Sequence, residues 1–166
     1  MSDLSGKFGL ITGVANKRSI AWSIAKALAQ DGARLALAYQ GARFTETVEE
    51  LAAELNSPLL LQCDVTSDQQ IADVYATIGK EFGGLDFLLH GTAFAPREEL
   101  SRPFVETSRE GFRLALDVSA YSLIALSRGA APLMAARGGR SILTLTSLGS
   151  ERVFPNYNVM GVAKAA

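Results

Sequence analysis

The stretch FGLITGVANKRSIAWSIAKAL, Phe8 to Leu28, sets the architecture expected of the whole chain. Its first five residues, Phe8 to Thr12, form a short apolar run that stops at Gly13. From Ile20 onward apolar residues return at helical spacing, with Ile20, Ile24, Ala27 and Leu28 expected to face inward. A strand, a loop and a helix thus follow in order. Within the loop, Gly13, Ala15, Ser19 and Ala21 are small enough for the backbone to approach a pyrophosphate at a helix N-terminus, where the dipole favours an anion. Small residues equally serve to pack a helix tightly on a strand, and the loop is not a regular G-x-G-x-x-G.

The same alternation continues outward. Arg34 to Tyr39 reads as a second strand, followed by Phe44, Val48, Leu51, Ala52 and Leu55 at helical spacing. Leu59 to Gln62 makes a third strand stopped by Asp64, and Ile71, Val74, Tyr75, Ile78 and Phe82 line a third helix closed by Gly83 and Gly84. Leu85 to Leu89 is a fourth strand leading into His90 and Gly91, and the loop from Thr92 to Pro103 is polar and irregular. A long helix is predicted from about Ser108 to Arg137, broken or bent near Pro132 and ended by Gly138 and Gly139. Its Phe112, Leu116, Leu123, Ile124 and Leu126 give an apolar surface broad enough to suggest a second partner. Ser141 to Thr146 is a fifth strand that delivers the chain to Ser147. Strands alternating with amphipathic helices imply an α/β fold, a doubly wound parallel sheet with helices on both faces. With no internal linker or repeat, residues 1–166 read as a single domain.

Composition narrows the partners. The chain is 48% hydrophobic and 20% charged, which suits a folded core. A net charge of -1 gives no electrostatic reason to expect nucleic acid. The apolar runs are shorter than a bilayer span, and MSDLSGKF lacks the apolar centre of a signal peptide, so no membrane role and a cytoplasmic location are expected. Cys63, alone, forms no internal disulfide and is expected to pack as a small hydrophobe; one histidine, His90, leaves no cluster for a metal and is expected to end a strand.

The chemistry is concentrated in SLGSERVFPNYNVMGVAK, Ser147 to Lys164. If Pro155 or Asn156 opens a helix, Tyr157 and Lys164 return to within about 20° of each other around its axis. One phenol and one ammonium then reach a common ligand, a phenol being able to donate to an oxygen that gains negative charge. In a doubly wound sheet, ligands lie beyond the carboxyl ends of the strands. There the second strand ends in Tyr39, Gln40 and Gly41: Gln40 can bond a ribose hydroxyl, and Arg43 is close enough in sequence to attract a 2'-phosphate. Asp64 can accept from an adenine amino group or simply lead into a helix.

With the loop Gly13 to Ala21, the Cys63-Asp64-Val65 triplet, HGTAFAP at His90 to Pro96 and PNYNVMGVAKA in place, the chain resembles the enoyl-[acyl carrier protein] reductases, a divergent branch of the short-chain dehydrogenases. In this branch six residues separate Tyr and Lys, as at Tyr157 and Lys164, where ordinary members have three. The resemblance implies a Rossmann-type fold and NADH-dependent reduction of a trans-2-enoyl thioester carried on acyl carrier protein, with NADH favoured over NADPH. It implies that Gly13, Ala15, Ser19 and Ile20 line the pyrophosphate, Gln40 the adenosine ribose, and Asp64 with Val65 the adenine. Thr92 would lie near the nicotinamide side, Leu145 beneath the cofactor, and Ala95 against the acyl substrate. Tyr157 would be the hydrogen-bond donor and Lys164 would hold the nicotinamide ribose. It also implies a homotetramer.

Three departures stand out. Where many members carry a second tyrosine, ten residues before the first, this chain has Ser147; ordinary short-chain dehydrogenases have a serine at that distance from the lysine, so Ser147 is expected near the substrate or Tyr157. The usual glycine before Phe94 is Ala93. A complete member continues past Ala166, so the chain is expected to stop after the fifth strand and the start of the catalytic helix, as part of a longer protein. Two other readings stay open: a short-chain dehydrogenase acting on carbonyls, and a non-catalytic dinucleotide-binding module.

Overall fold

The computed structural model describes residues 3–55, 58–138 and 141–166; Gly139 and the first two residues of MSDLSGKF lie outside the described residues. In chain order the elements are β1 (Phe8–Thr12), α1 (Ile20–Gln30), β2 (Arg34–Tyr39), α2 (Thr45–Ala52), β3 (Leu59–Gln62), α3 (Asp68–Phe82) and β4 (Phe87–His90). There follow α4 (Arg97–Ser101), α5 (Arg109–Leu116), a π turn (Asp117–Tyr121), α6 (Ser122–Arg137), β5 (Ser141–Thr144) and α7 (Asn158–Ala165). The chain groups into two compact units, one of Met1–Gly91 with Ala125–Thr144 and one of Thr92–Ile124 with Leu145–Ala166.

The first unit is built on a five-stranded parallel sheet of order β3-β2-β1-β4-β5. Strands β1, β2 and β4 are inside the sheet, and their central residues are apolar because both faces are covered; Leu10, Ile11, Leu35, Leu37, Leu88 and Leu89 form the core. Right-handed crossovers from a strand order that reverses after β3 place α1 and α2 on one face and α3 with the later part of α6 on the other. The Tyr75 hydroxyl on α3 accordingly donates to the Leu126 carbonyl on α6 at 2.6 Å. The reversal puts β1 beside β4, and the crevice above their carboxyl ends is the topological switch point where such sheets bind ligands.

Sequence periodicity locates α3 well: Ile71, Val74, Tyr75, Ile78 and Phe82 are all buried, and Gly83 ends the helix in a left-handed conformation. Helix α1 differs from expectation. Its buried face is Ala21, Trp22 and Ala25, Ala27 is exposed, and Ile20 is 66% exposed. Two alanines one turn apart let the helix lie close to the sheet, and this contact, not the larger isoleucines, sets which face turns inward. The long helix also differs. Pro132 lies within a continuous α6, and the irregularity falls at the π turn instead. There the Ser119 hydroxyl is engaged by the Phe94 backbone while Ser122 Oγ bonds back to the Val118 carbonyl at 2.7 Å. Strand β5 ends at Thr144, two residues short of the predicted Thr146, and its four residues are exposed.

At the amino ends of the strands, an ionic knot closes the first unit. The nearly buried Asp86 carboxylate accepts from the Phe8 amide at 2.8 Å, Arg137 Nε at 2.8 Å and Lys7 Nζ at 3.2 Å. Burial pushes its pKa up, but the Phe8 amide, Arg137 and Lys7 together outweigh burial and hold the carboxyl below its usual range. Arg137 also lies over the Phe8 ring, 4.5 Å from its centroid, and Phe8 stacks on Phe82 at 4.8 Å.

Candidate active site

In the first unit the loop after β1 is built to leave backbone exposed. Thr12 Oγ1 donates to the Leu89 carbonyl at 3.3 Å and accepts from the Gly91 amide at 3.1 Å, pinning β1 to β4 where the crevice opens. Gly13 has φ +86°, and a Cβ there would run into the Gly91 backbone, so only glycine lets the two chains approach so closely. Ser19 does more than be small. Its Oγ accepts from the Ala15 and Asn16 amides, both at 3.1 Å, bracing the loop from within, and it makes no cap to the first turn of α1. Helix α1 therefore begins without a side-chain cap, with Ile20 exposed at its first position.

Beyond the ends of β2 and β3, Gln40, Arg43, Gln62, Asp64 and Gln70 border an open cleft of about 540 Å³. Gln40 and Arg43 are exposed, the Arg43 guanidinium lying 4.6 Å from the Phe44 ring centroid. Asp64 does not cap α3, a task that falls to Ser67. Asp64 Oδ1 instead accepts from the Thr66 amide and hydroxyl, which fixes the turn. Val65 beside it is buried, as is Cys63, whose thiol burial pushes up to about 11, so it remains protonated near neutral pH. His90 is buried at the end of β4, its Nδ1 3.0 Å from Thr144 Oγ1 on the neighbouring strand.

The second unit holds Ser147, Tyr157 and Lys164. Pro155 and Asn156 do not open α7; Tyr157 is its N-cap and Asn158 its first residue. Tyr157 keeps right-handed angles, but Asn158 after it has φ +38°, so the regular periodicity expected to put Tyr157 and Lys164 on one helix face is interrupted between them. The Tyr157 hydroxyl is 2.9 Å from Ser147 Oγ. Its ring lies on Gly149, where a Cβ would collide with the ring edge. The Lys164 ammonium donates to the Leu145 carbonyl at 2.6 Å, and the Thr146 hydroxyl donates to the Lys164 carbonyl at 3.1 Å. Half-buried, Lys164 has its pKa lowered by loss of solvation. The Leu145–Thr146 segment and α7 are thereby tied together by backbone and side chain, and phenol, hydroxyl and ammonium are each held by a named partner. Thr92 and Ala95 lie half-buried in the segment that opens this unit.

Several residues of the site carry no signal that spacing alone reveals. Ser119, in the π turn, accepts from the Phe94 amide at 3.0 Å and donates to the Phe94 carbonyl at 3.1 Å, holding the segment that contains Ala95. Glu99 is buried, and its carboxylate receives the Ser108 hydroxyl at 2.5 Å and amide at 3.1 Å; Ser108 in turn caps α5. Asn158 reaches back to α4. A serine within a helix and asparagines on both sides of Tyr157 were the available cues. Among the described residues no group of three or more His, Cys, Asp or Glu could hold a metal, and no helix is long and apolar enough to cross a membrane.

The doubly wound parallel sheet of the first unit defines a dinucleotide-fold protein, and the second unit holds Ser147, Tyr157 and Lys164, the residues expected of the short-chain dehydrogenase class. A family profile described as Enoyl-(Acyl carrier protein) reductase matches residues 13–166, and the chain belongs to that family. Enoyl-[acyl-carrier-protein] reductase [NADH] FabI of Aquifex aeolicus is 48% identical over 166 residues, all of this chain and 61% of that protein. Its namesake from Neisseria meningitidis is 49% identical over 167 residues, again all of this chain and 64% of that protein. The solved Bacillus cereus enoyl-acyl carrier protein reductase, in complex with NADP+ and indole naphthyridinone, superposes with a TM-score of 0.94 at 49% identity, covering 99% of this chain and 64% of that one. An Anaplasma phagocytophilum reductase in complex with NAD has a TM-score of 0.94 at 42% identity, covering 99% and 63%. The chain thus spans somewhat under two thirds of the length of these relatives.

Proposed function

We propose that the protein reduces trans-2-enoyl thioesters carried on acyl carrier protein, using NADH, and that residues 1–166 belong to a single dinucleotide-binding domain whose C-terminal part lies beyond them. The observation that carries this reading is the Tyr157 phenol held at 2.9 Å from Ser147 Oγ with Lys164 anchored on the Leu145 carbonyl, in a chain whose relatives bear that activity in their names. The uncapped first turn of α1 and the glycine cradle at Gly13 and Gly91 fit a dinucleotide pyrophosphate. Gly13, Ala15 and Ile20 would line it, with Ser19 bracing the loop from behind; Gln40 would bond the adenosine ribose, and Asp64 with Val65 would flank the adenine. Thr92 and Leu145 would lie on the nicotinamide side and Ala95 against the acyl chain.

When bound, the reduced nicotinamide supplies a hydride to the β-carbon of the thioester. Negative charge then grows on the thioester oxygen, and the Tyr157 hydroxyl donates to it. Ser147 holds the phenol in place and accepts or donates as the charge shifts. Lys164 keeps a positive charge near the reacting groups and bonds ribose hydroxyls. Gln40 carries no charge to repel a 2'-phosphate and Arg43 is available to attract one, while the names of the relatives favour NADH. A cytoplasmic location and a homotetramer belong to the same proposal; Phe112, Tyr121 and Ile124 are exposed apolar residues available for assembly.

The test is the full-length gene product with crotonyl thioester and either NADH or NADPH, following loss of reduced nicotinamide. Turnover abolished by Tyr157→Phe or Lys164→Ala is expected. Reduction of ketones instead of the thioester would make it a carbonyl-acting dehydrogenase, and dinucleotide binding without turnover would make it a non-catalytic module.

A further inference from the structure

The backbone around Tyr157 is strained on both sides. Asn156 has φ +61° and Asn158 φ +38°, the two non-glycine residues with positive φ among those described. Tyr157 sits between them at φ −99° and ψ −28°. The first asparagine has no side-chain hydrogen bond among those found for the described residues, and its left-handed angle is one that asparagine tolerates. The second has a partner at each of two points: Asn158 Nδ2 donates to the Arg102 carbonyl at 2.8 Å and to the Glu99 carbonyl at 3.2 Å. These carbonyls belong to the carboxyl end of α4, where a helix has acceptors without intrahelical donors. Asn158 is thus both the first residue of α7 and a side-chain cap on α4.

Helix α4 follows directly on the segment Thr92 to Pro96, Pro96 being its N-cap. That segment is fastened at Phe94 by Ser119. Helix α4 is itself fixed by Glu99 within it, whose carboxylate is bound to Ser108. One end of a braced piece of chain carries Ala95, and the other is gripped by the residue after Tyr157.

We propose that Asn158 is a positioning residue: its amide fixes the start of α7 to the end of α4 and so sets the height of the Tyr157 phenol against the Thr92 to Pro96 segment. This rests on Tyr157 acting as donor to the thioester oxygen. A phenol misplaced by a fraction of an ångström still allows binding but loses the hydrogen bond that forms only as charge develops, so the loss falls on kcat and not on KM.

The experiment uses the full-length gene product with crotonyl thioester and NADH. Asn158→Gly suits the positive φ and removes the amide; Asn158→Asp keeps shape and backbone tolerance but turns an acceptor toward two carbonyl oxygens; Asn156→Gly is the control. Both Asn158 variants are expected to lose about 10- to 100-fold in kcat, with KM for NADH and the NADH-induced rise in Tm unchanged. Asn156→Gly is expected to stay within about twofold of the parent in every constant. A kcat within twofold of the parent in a folded Asn158 variant would overturn the proposal, whatever its Tm. Loss of folding in both Asn158 variants beside a folded Asn156→Gly would overturn it too, making Asn158 a stability residue. A parent that turns over no thioester removes the donor reading, and this inference with it; a parent that does turn over leaves the Asn158 comparison to decide alone.

Discussion

Tyr157 is held by contacts on separate sides: Ser147 at its hydroxyl and Gly149 against its ring. Removing the hydroxyl alone, in Tyr157→Phe, should lower kcat by about 10²- to 10³-fold, the loss typical of one donor to a developing oxyanion. Circular dichroism should be unchanged, so that the loss belongs to chemistry. Gly149→Ala acts on the other side. Its methyl must displace the ring, and the variant should lose about 1–3 kcal/mol of stability in denaturant titration together with much of its activity. In the proposed reaction Lys164 sets a pH limit. Because loss of solvation lowers its pKa, its ammonium is complete at low pH and is lost as pH rises through a value below that of an ordinary lysine. The rate of the chemical step should therefore fall on the alkaline side earlier than a free lysine would dictate, and stopped-flow reduction against pH would show that limb.

The elements differ in how far the order of residues announces them. Helix α3 is legible because its inward positions are large and apolar at regular spacing, so burial follows periodicity directly. Helix α1 is misread by the same rule, since its closest contact is made by Ala21 and Ala25, and small residues carry little weight in a count of apolar positions. The proline in α6 is a visible warning that tertiary packing overrides, whereas the π turn has no composition of its own. Of the residues proposed for the site, Tyr157, Lys164 and Ser147 lie close together in sequence and are readable as a group. The Asn158 bond to α4 spans 56 residues and the Arg137 bond to Asp86 spans 51, and no local pattern encodes either. The second of these bears on stability. Asp86→Ala leaves the Phe8 amide and Arg137 Nε without their acceptor and should cost about 1–3 kcal/mol. The folded-state pKa of Asp86 lies below its ordinary value, so its contribution is complete above that value and disappears as pH falls through the folded one. Parent and variant should consequently differ in Tm at pH 7 and converge in strong acid.

For the molecule as a whole, a dinucleotide bound as proposed would be a source of stability as well as of chemistry. A dinucleotide that binds only the folded chain, at a hundred times its Kd, should stabilise the full-length protein by about 2.7 kcal/mol. Comparing the rise in Tm with NADH and with NADPH at equal concentration would rank the two without any turnover. Arg43→Ala should narrow whatever affinity NADPH has while leaving NADH almost untouched, because the guanidinium is exposed and free to meet a 2'-phosphate. The near balance of 16 basic and 17 acidic residues makes long-range steering weak, so the dependence of NADH binding on salt should be shallow.

The π turn from Asp117 to Tyr121 has a bearing on what descent can alter. Such a turn holds one residue more than the α-helix around it. Deleting any one of its residues would restore smooth helical bonding, yet would swing the residues that follow by about 100° and draw them back by about 1.5 Å. The Ser119 hydroxyl would leave the Phe94 backbone, and the segment bearing Ala95 would lose its fastening. Side chains here are open to exchange one at a time, but the count of residues is not, so drift in this region must proceed by replacement and never by shortening.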